Sequence, residues 1–143
     1  PDAAAAWRGP MLSGAIKQLS KSTMWGELDY LLIDMPPGTG DAYLTIFKEM
    51  SIDGFILIST PSLLSIADIK KTISLVNKFK LPILGYIENN IFESKTNIKD
   101  DTFIENKINK LGTFNFSNHM MNFNPEYIND QADNISKSII ENV

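Results

Sequence analysis

The sequence of 143 residues contains no cysteine and only one histidine, His119. Without cysteine, the chain has neither a disulfide framework nor thiolate ligands for a metal. A lone histidine, with no second histidine or cysteine to complete a site, does not predict a zinc centre. No apolar run approaches the roughly 18 residues that a membrane-spanning helix needs, and no signal peptide is recognised. These absences predict a cytoplasmic protein.

Positive charge is also scarce, since 13 lysines and arginines stand against 17 acidic residues and give a net charge of −4. This balance argues against a broad electrostatic surface for nucleic acid, so we expect neither a nucleic-acid partner nor a membrane partner. Hydrophobic residues make up 43% and charged residues 21%, which is ordinary for a globular protein. We expect residues 1–143 to form one domain or part of one.

Apolar segments separated by turn residues predict an alternation of helices and strands. Stripes of helical spacing predict helices at Met11–Leu19, Asp41–Met50, Leu63–Val76, Thr102–Leu111 and Ile135–Ile140. Short apolar runs predict strands at Leu28–Met35, Gly54–Thr60, Pro82–Asn89 and Thr113–Ser117. The polar segment Asn90–Asp101 predicts a loop, and Met120–Asp130 looks irregular. This alternation predicts an α/β fold with a parallel sheet and right-handed crossovers.

The segment LLIDMPPGTGD, Leu31–Asp41, is the most informative part of the chain. Asp34 ends an apolar run that looks like a buried strand, and open α/β sheets bind ligands at the carboxyl ends of their strands. Gly38 and Gly40 leave backbone N–H groups sterically uncovered, which suits a magnesium-bound phosphate. The alternative interpretation is a strand and a turn followed by Asp41 as a helix cap, which many α/β proteins contain.

Four segments, in this order, resemble the Mrp/ApbC-type P-loop ATPases, relatives of MinD and ParA that act as iron–sulfur cluster carriers. They read WRGPMLSGAIKQL (Trp7–Leu19), WGELDYLLIDMPPGTGD (Trp25–Asp41), STP (Ser59–Pro61) and PILGYIEN (Pro82–Asn89). WRGPM together with DMPPGTGD is far more specific than a lone glycine-rich turn. The resemblance is close from Trp7 to Phe92 and implies a partial doubly wound parallel sheet of the P-loop NTPase type.

The resemblance implies a catalytic set of Asp34, Gly38 and Asp41. Asp34 matches the acid of the Walker B-type motif, which holds Mg²⁺ through water. Gly38 belongs to the switch turn that senses the γ-phosphate through a backbone N–H, and Asp41 stands at the start of the switch helix.

The resemblance also implies which residues bind ATP. Pro36, Pro37 and Gly38 correspond to the switch turn, and Gly40 lies at the start of the switch helix. Asn89 matches the family asparagine that pairs with the adenine edge, and its amide offers the donor and the acceptor that a base requires. The alternative for Asn89 is a turn residue that ends a strand.

One departure from the family is that no Gly-Lys-Gly-Gly-x-Gly-Lys-Ser/Thr loop occurs in the sequence. That loop supplies the amide cradle and the lysine charges for the phosphates. We therefore expect the chain to be the carboxyl-terminal portion of a single P-loop ATPase domain. In the family the P-loop strand lies between the Asp34 strand and the Gly54–Thr60 strand, so the isolated chain would have an unfilled place in its sheet. We expect poor stability, no tight ATP binding and ATP hydrolysis only by the intact protein.

A second departure concerns the iron–sulfur site. The family's carriers have a Cys-x-x-Cys pair soon after the segment that corresponds to PILGYIEN, whereas Asn89–Asp101 contains no cysteine. Thiolates are the usual ligands of such clusters, and the carboxylates of Glu93, Asp100 and Asp101 are poor substitutes. We therefore assign no iron–sulfur ligands in this chain, and the sequence leaves open whether a cluster binds.

Taken with the resemblance, the sequence predicts part of a protein that binds and hydrolyses ATP with Mg²⁺ and carries or assembles iron–sulfur clusters. The expected partners are a second copy in a homodimer and iron–sulfur client or scaffold proteins. Two alternatives remain: a MinD/ParA-like positioning protein, and a non-catalytic scaffold or truncated homologue. WRGPM, and the lack of a basic amphipathic helix at the carboxyl end, argue against the positioning protein.

Overall fold

The computed structural model describes residues 9–36, 38–90, 101–115 and 125–142. Pro37 and His119 lie outside the described residues, as does nearly all of the predicted loop Asn90–Asp101. The chain divides into two compact units, Pro1–Ile52 and Asp53–Val143.

The first unit contains two helices, α1 (Gly9–Ser22) and α2 (Asp41–Glu49). Both were predicted, and Pro10 occupies the first turn of α1, where its missing N–H costs nothing. The predicted cap of α2 was wrong by one residue. Gly40 is the N-cap, no side chain caps the helix, and Asp41 is the first helical residue.

The predicted strand Leu28–Met35 does not form, because these residues belong to no helix or strand. A strand requires a neighbour for its backbone N–H and C=O groups, and the described residues of the first unit include no other strand. Its apolar side chains are correspondingly exposed, with Leu32 at 83% and Leu31 at 40%. Leu28–Met35 has the apolar composition of a buried strand, but no strand among the described residues pairs with it.

The second unit is a parallel α/β sheet with the strand order β1-β2-β3. Its elements are β1 (Phe55–Ser59), α3 (Leu63–Lys78), β2 (Ile83–Asn90), α4 (Thr102–Glu105), β3 (Lys110–Asn115) and α5 (Pro125–Ile140). Parallel neighbours require crossover connections, which α3 and α4 occupy. The predicted α/β class and parallel pairing are confirmed.

Two predicted boundaries in the second unit were wrong. The helix expected over Thr102–Leu111 is a single turn, because the chain turns at Lys107 with φ of 56° and enters β3 at Lys110. Ile108 and Leu111 have helical spacing, but they pack into different clusters. The region expected to be irregular already belongs to α5 from Pro125 onward, a start typical of a helix with proline in its first turn.

Two apolar clusters cover the two faces of the sheet. Leu57 packs with Ile69 and Ile73 of α3, whereas its neighbour Ile56 packs with the cluster that contains Ile135 of α5. Because successive strand residues point to opposite faces, α3 and α5 lie on opposite sides of the sheet. This is the doubly wound arrangement that the resemblance implied, reduced to three strands.

β1 is an edge strand in the described part of the second unit, since β2 is the one strand with which it pairs. The side chain of Ile58 on this strand is 56% exposed. Parallel sheets are normally covered on both faces, so an apolar side chain this exposed on a parallel strand is unusual. None of the helices in the described parts of the chain has the length and apolar character needed to cross a bilayer.

Close contact between α5 and the sheet predicts a steric effect at Gly112. A Cβ atom on Gly112 would overlap Cγ1 of Ile135. We expect Gly112→Ala to lower the free energy of unfolding of the second unit by about 1–3 kcal/mol, because the core is overfilled. Urea unfolding followed by far-UV circular dichroism measures this loss.

The matched background for that substitution is Ile135→Ala, which removes the overlapping atoms and leaves the Ile135 Cβ 3.6 Å from the added methyl group. In that background Gly112→Ala should cost close to nothing. An equal cost in both backgrounds would show that overlap with α5 is not the cause. Both tryptophans lie in the first unit, so tryptophan fluorescence reports whether that unit is affected.

Candidate functional site

The turn that precedes α2 has the open geometry that the sequence predicted for a phosphate-sensing segment. Gly38 has φ of 87°, a conformation that side chains disfavour. A Cβ atom on Gly38 or on Gly40 would meet nothing within 4 Å. Asp34 and Pro36 are both exposed in the same segment, and Pro37 lies outside the described residues. The first unit thus presents one carboxylate and an uncovered glycine turn within a single stretch of chain.

The first turn of α2 follows this glycine turn directly. Its amino-terminal N–H groups receive no side-chain cap, and Tyr43 N donates to Gly40 O over 3.1 Å. Uncapped N–H groups and the helix dipole make such an end favourable for anions. Asp41, the first helical residue, is exposed, and its carboxylate lies beside Gly9 rather than over its own helix end.

α1 supports α2 through a row of polar contacts, which we call the polar seam. It comprises two polar pairs, Ser13 with Thr45 and Lys17 with Glu49, and in line with them Gly9 lies beside the Asp41 carboxylate. A Cβ on Gly9 would lie 2.7 Å from Asp41 Oδ2, so a side chain here would displace the exposed carboxylate from this position. The Ser13 and Thr45 hydroxyl oxygens are 2.8 Å apart. The same separation of 32 residues recurs in each pair, so the two helices run parallel.

Glu49 ends the polar seam with two ion pairs to α1. Its carboxylate oxygens lie 3.2 Å from Lys17 Nζ and 2.7 Å from Lys21 Nζ. Hydrogen bonds from Lys21 and Lys17 lower the pKa of the Glu49 carboxyl below its ordinary value. Glu49 therefore stays ionised further into the acid range than an unpaired glutamate, and it keeps α2 attached to α1 there.

Asn89, the predicted adenine-binding residue, lies in the second unit near the carboxyl end of β2, opposite Phe114 of β3. Its side-chain oxygen is buried and accepts no hydrogen bond from the described residues. A buried amide oxygen without a donor is costly, and such atoms concentrate at functional sites. This observation favours a binding role for Asn89 over that of a turn residue, because the strand continues past it to Asn90.

Asn90 and Gln131 were missed by the sequence interpretation. Asn90 Oδ1 and Gln131 Nε2 are also buried without partners among the described residues. The other end of the Gln131 amide accepts a hydrogen bond from Asn115 N at 2.9 Å, at the end of β3. Gln131 was overlooked because the start of α5 was placed too late, although Pro125 followed by Glu126 is a helix-start signal.

The described residues suit a magnesium ion that is shared with a nucleotide better than one held by protein alone. They contain no group of three or more acidic or histidine side chains that could enclose a metal ion. Mg²⁺ commonly uses one or two carboxylates together with phosphate oxygens and water. The exposed carboxylate of Asp34 fits that role.

Comparison with known families gives a match over most of the chain. A family model described as ParA, NUBPL iron-transfer P-loop NTPase, matches residues 1–126. The match includes the glycine turn and α2 in the first unit, and the whole sheet in the second.

Among curated proteins, an iron-sulfur cluster carrier protein of Methanocaldococcus jannaschii is 54% identical over 84 residues, which are 58% of this chain and 29% of that protein. A protein of the same name from Rickettsia conorii is 50% identical over 91 residues, covering 64% of this chain and 28% of the relative. The Arabidopsis thaliana iron-sulfur protein required for NADH dehydrogenase, mitochondrial, is 44% identical over 88 residues, or 62% and 28% of the two chains. The matched stretch therefore spans less than a third of each relative.

The Glu49 ion pairs predict a pH dependence of the first unit. Because the pKa of Glu49 is lowered in the folded state, its contribution to stability is present above the ordinary value of 4.5 and is lost as the pH falls through the lowered folded value. We expect Glu49→Gln to reduce the urea midpoint at pH 7, and the difference from the unchanged chain to shrink as the pH falls below 4.5 through the lowered folded value. Tryptophan fluorescence measures it, since Trp7 and Trp25 both lie in this unit.

The control for this measurement is Asp68→Asn in α3, which removes a single exposed lysine pair within one helix of the second unit. It should leave the tryptophan-detected midpoint unchanged at every pH. A difference between Glu49→Gln and the unchanged chain that does not shrink as the pH falls below 4.5 would refute the charge-based explanation.

Proposed function

The chain belongs to the ParA family of NUBPL-type iron-transfer P-loop NTPases, and from this we propose that it is part of an ATP-binding and ATP-hydrolysing protein that carries or assembles iron–sulfur clusters. The names of its relatives support cluster carriage over the positioning alternative. The observation that carries the proposal is the exposed Asp34 carboxylate four residues before Gly38, whose turn opens directly into an uncapped helix.

The chain's own residues would divide the work on the nucleotide. Asp34 would hold Mg²⁺ through water, and Mg²⁺ would neutralise charge on the transferred phosphate. Backbone N–H groups around Gly38 and Gly40 would orient the γ-phosphate end, because neither glycine has a side chain to obstruct the approach and the space beside each Cα is open. The unpartnered amide of Asn89 would accept a hydrogen bond from the adenine edge. In this scheme the protein acts by positioning and by charge neutralisation.

The phosphate-binding loop and its lysines would come from a part of the protein outside this chain. The exposed edge of β1 and the apolar segment Leu28–Met35 support this idea, because among the described residues β1 pairs with a strand on one side alone and Leu28–Met35 pairs with none. A parallel strand supplied from elsewhere would satisfy backbone groups on each. In this proposal the chain alone neither binds ATP tightly nor hydrolyses it.

The cluster itself would be cargo that this chain cannot hold by thiolates, since the sequence has no cysteine. Its ligands would then come from client or scaffold proteins, or from another part of the protein. We propose that the intact protein works as a homodimer in the cytoplasm, where thiolates stay reduced. The nucleotide cycle would change the affinity for these partners through the Gly38 turn.

The role of Asp34 predicts a loss of turnover in the intact protein. We expect Asp34→Asn to lower magnesium-dependent ATP hydrolysis by on the order of 10²-fold, because the ion loses its protein carboxylate. Asp29→Asn is the matched control, an exposed acid in the same segment, and should keep normal turnover. Equal turnover by Asp34→Asn and the unchanged protein would reject the metal role.

The absence of thiolates predicts that this chain alone retains no cluster. After anaerobic reconstitution with ferrous iron and sulfide followed by desalting, we expect neither bound iron nor bound sulfide on the 143-residue chain. A ferredoxin treated in parallel confirms that the conditions build clusters. Stoichiometric iron and sulfide on the chain would show that other ligands hold a cluster, and would overturn the assignment of cluster ligands to partners.

A further inference from the structure

The polar seam connects α2, which begins directly after the Gly38–Gly40 turn, to α1, which contributes no residue to that turn. Asp41, Thr45 and Glu49 are spaced by four along α2, and Gly9, Ser13 and Lys17 are spaced by four along α1. Residues at this spacing lie on one ridge of a helix. The polar contacts therefore lie at the middle and at the last residue of α2, and Gly9 lies beside its first residue, Asp41.

Thr45 is the central member of the polar seam, and its side chain has two hydrogen bonds. Its hydroxyl donates to Asp41 O over 2.8 Å, and it lies 2.8 Å from the hydroxyl of Ser13. Because a hydroxyl has only one proton to donate, Ser13 must donate to Thr45. Thr45 is 8% exposed, so water cannot readily replace this pair. One side chain thus fixes the first turn of α2 and attaches it to α1.

We propose that the polar seam makes α1 and α2 move as one lever, with Thr45 as the positioning residue through which displacement of the Gly38–Gly40 turn reaches α1. A shift of α2 alone would separate the Ser13–Thr45 pair and both Glu49 ion pairs. A shift of both helices together preserves them. The nucleotide role of the turn rests on the proposed function, whereas the coupling of the helices does not.

Coupling is tested with Thr45→Val, which keeps the shape of the side chain and removes its hydroxyl. Hydrogen exchange of the 143-residue chain should become about two- to tenfold faster in α1 as well as in α2. Thr72→Val is the matched control, because Thr72 makes the same bond to the carbonyl four residues earlier, Asp68 O at 3.2 Å, in α3. It should leave exchange in α1 unchanged.

Two further variants separate coupling from general damage. Thr45→Ser retains the hydroxyl and should restore slow exchange in both helices. Ser13→Ala approaches the same pair from α1 and should accelerate exchange in α2, and it replaces Thr45→Val if that variant fails to fold. Acceleration confined to the substituted helix, or failure of Thr45→Ser to restore protection, would overturn the lever.

The function of the lever is tested by kinetics on the intact protein. Thr45→Val should lower kcat for ATP hydrolysis several-fold with KM for ATP unchanged, while Thr72→Val should alter neither. A change in KM alone would refute the positioning role. If the unchanged intact protein hydrolyses no ATP, the proposed function fails, and exchange in the helices then decides the coupling by itself.

Discussion

Backbone pairing between parallel strands is the constraint on which the rest of this structure depends. A strand leaves N–H and C=O groups along both edges, and burying them unpaired costs more than apolar burial returns. β1, β2 and β3 meet this requirement with one another and then hold a helix layer on each face. Leu28–Met35 has a similar apolar composition, but none of the strands that the structure describes pairs with it, and Leu31 and Leu32 are exposed.

The first unit is consequently stabilised by contacts between helices. α2 buries Ala42, Tyr43, Thr45 and Ile46, whereas α1 buries no residue fully. The polar seam therefore helps to fix the position of α1 against α2, because α1 itself buries no residue fully. Such contacts add little free energy each, but they are directional, so they specify register more strongly than an apolar surface would.

Much of the fold could be predicted from the sequence, because periodicity records which face of an element is buried. The stripe Ile66, Ile69, Ile73 and Val76 predicted α3, and the apolar run Gly54–Thr60 predicted β1. Leu28–Met35 could not be resolved this way, since apolar composition does not state whether a neighbouring strand exists. The same limit applies to the site. Asp34 and Gly38 could be proposed from residue types, but the seam contacts of Thr45 and the unpartnered amide nitrogen of Gln131 depend on tertiary packing.

Buried amides at the end of β2 and on α5 impose an energetic cost on the second unit. Asn89 Oδ1, Asn90 Oδ1 and Gln131 Nε2 each lack a hydrogen bond within the described residues, which costs about 1–3 kcal/mol per group. A protein keeps such a cost when a ligand removes it, because the same groups then contribute to binding rather than oppose folding. A ligand that donates a hydrogen bond to Asn89 Oδ1 would therefore stabilise the second unit.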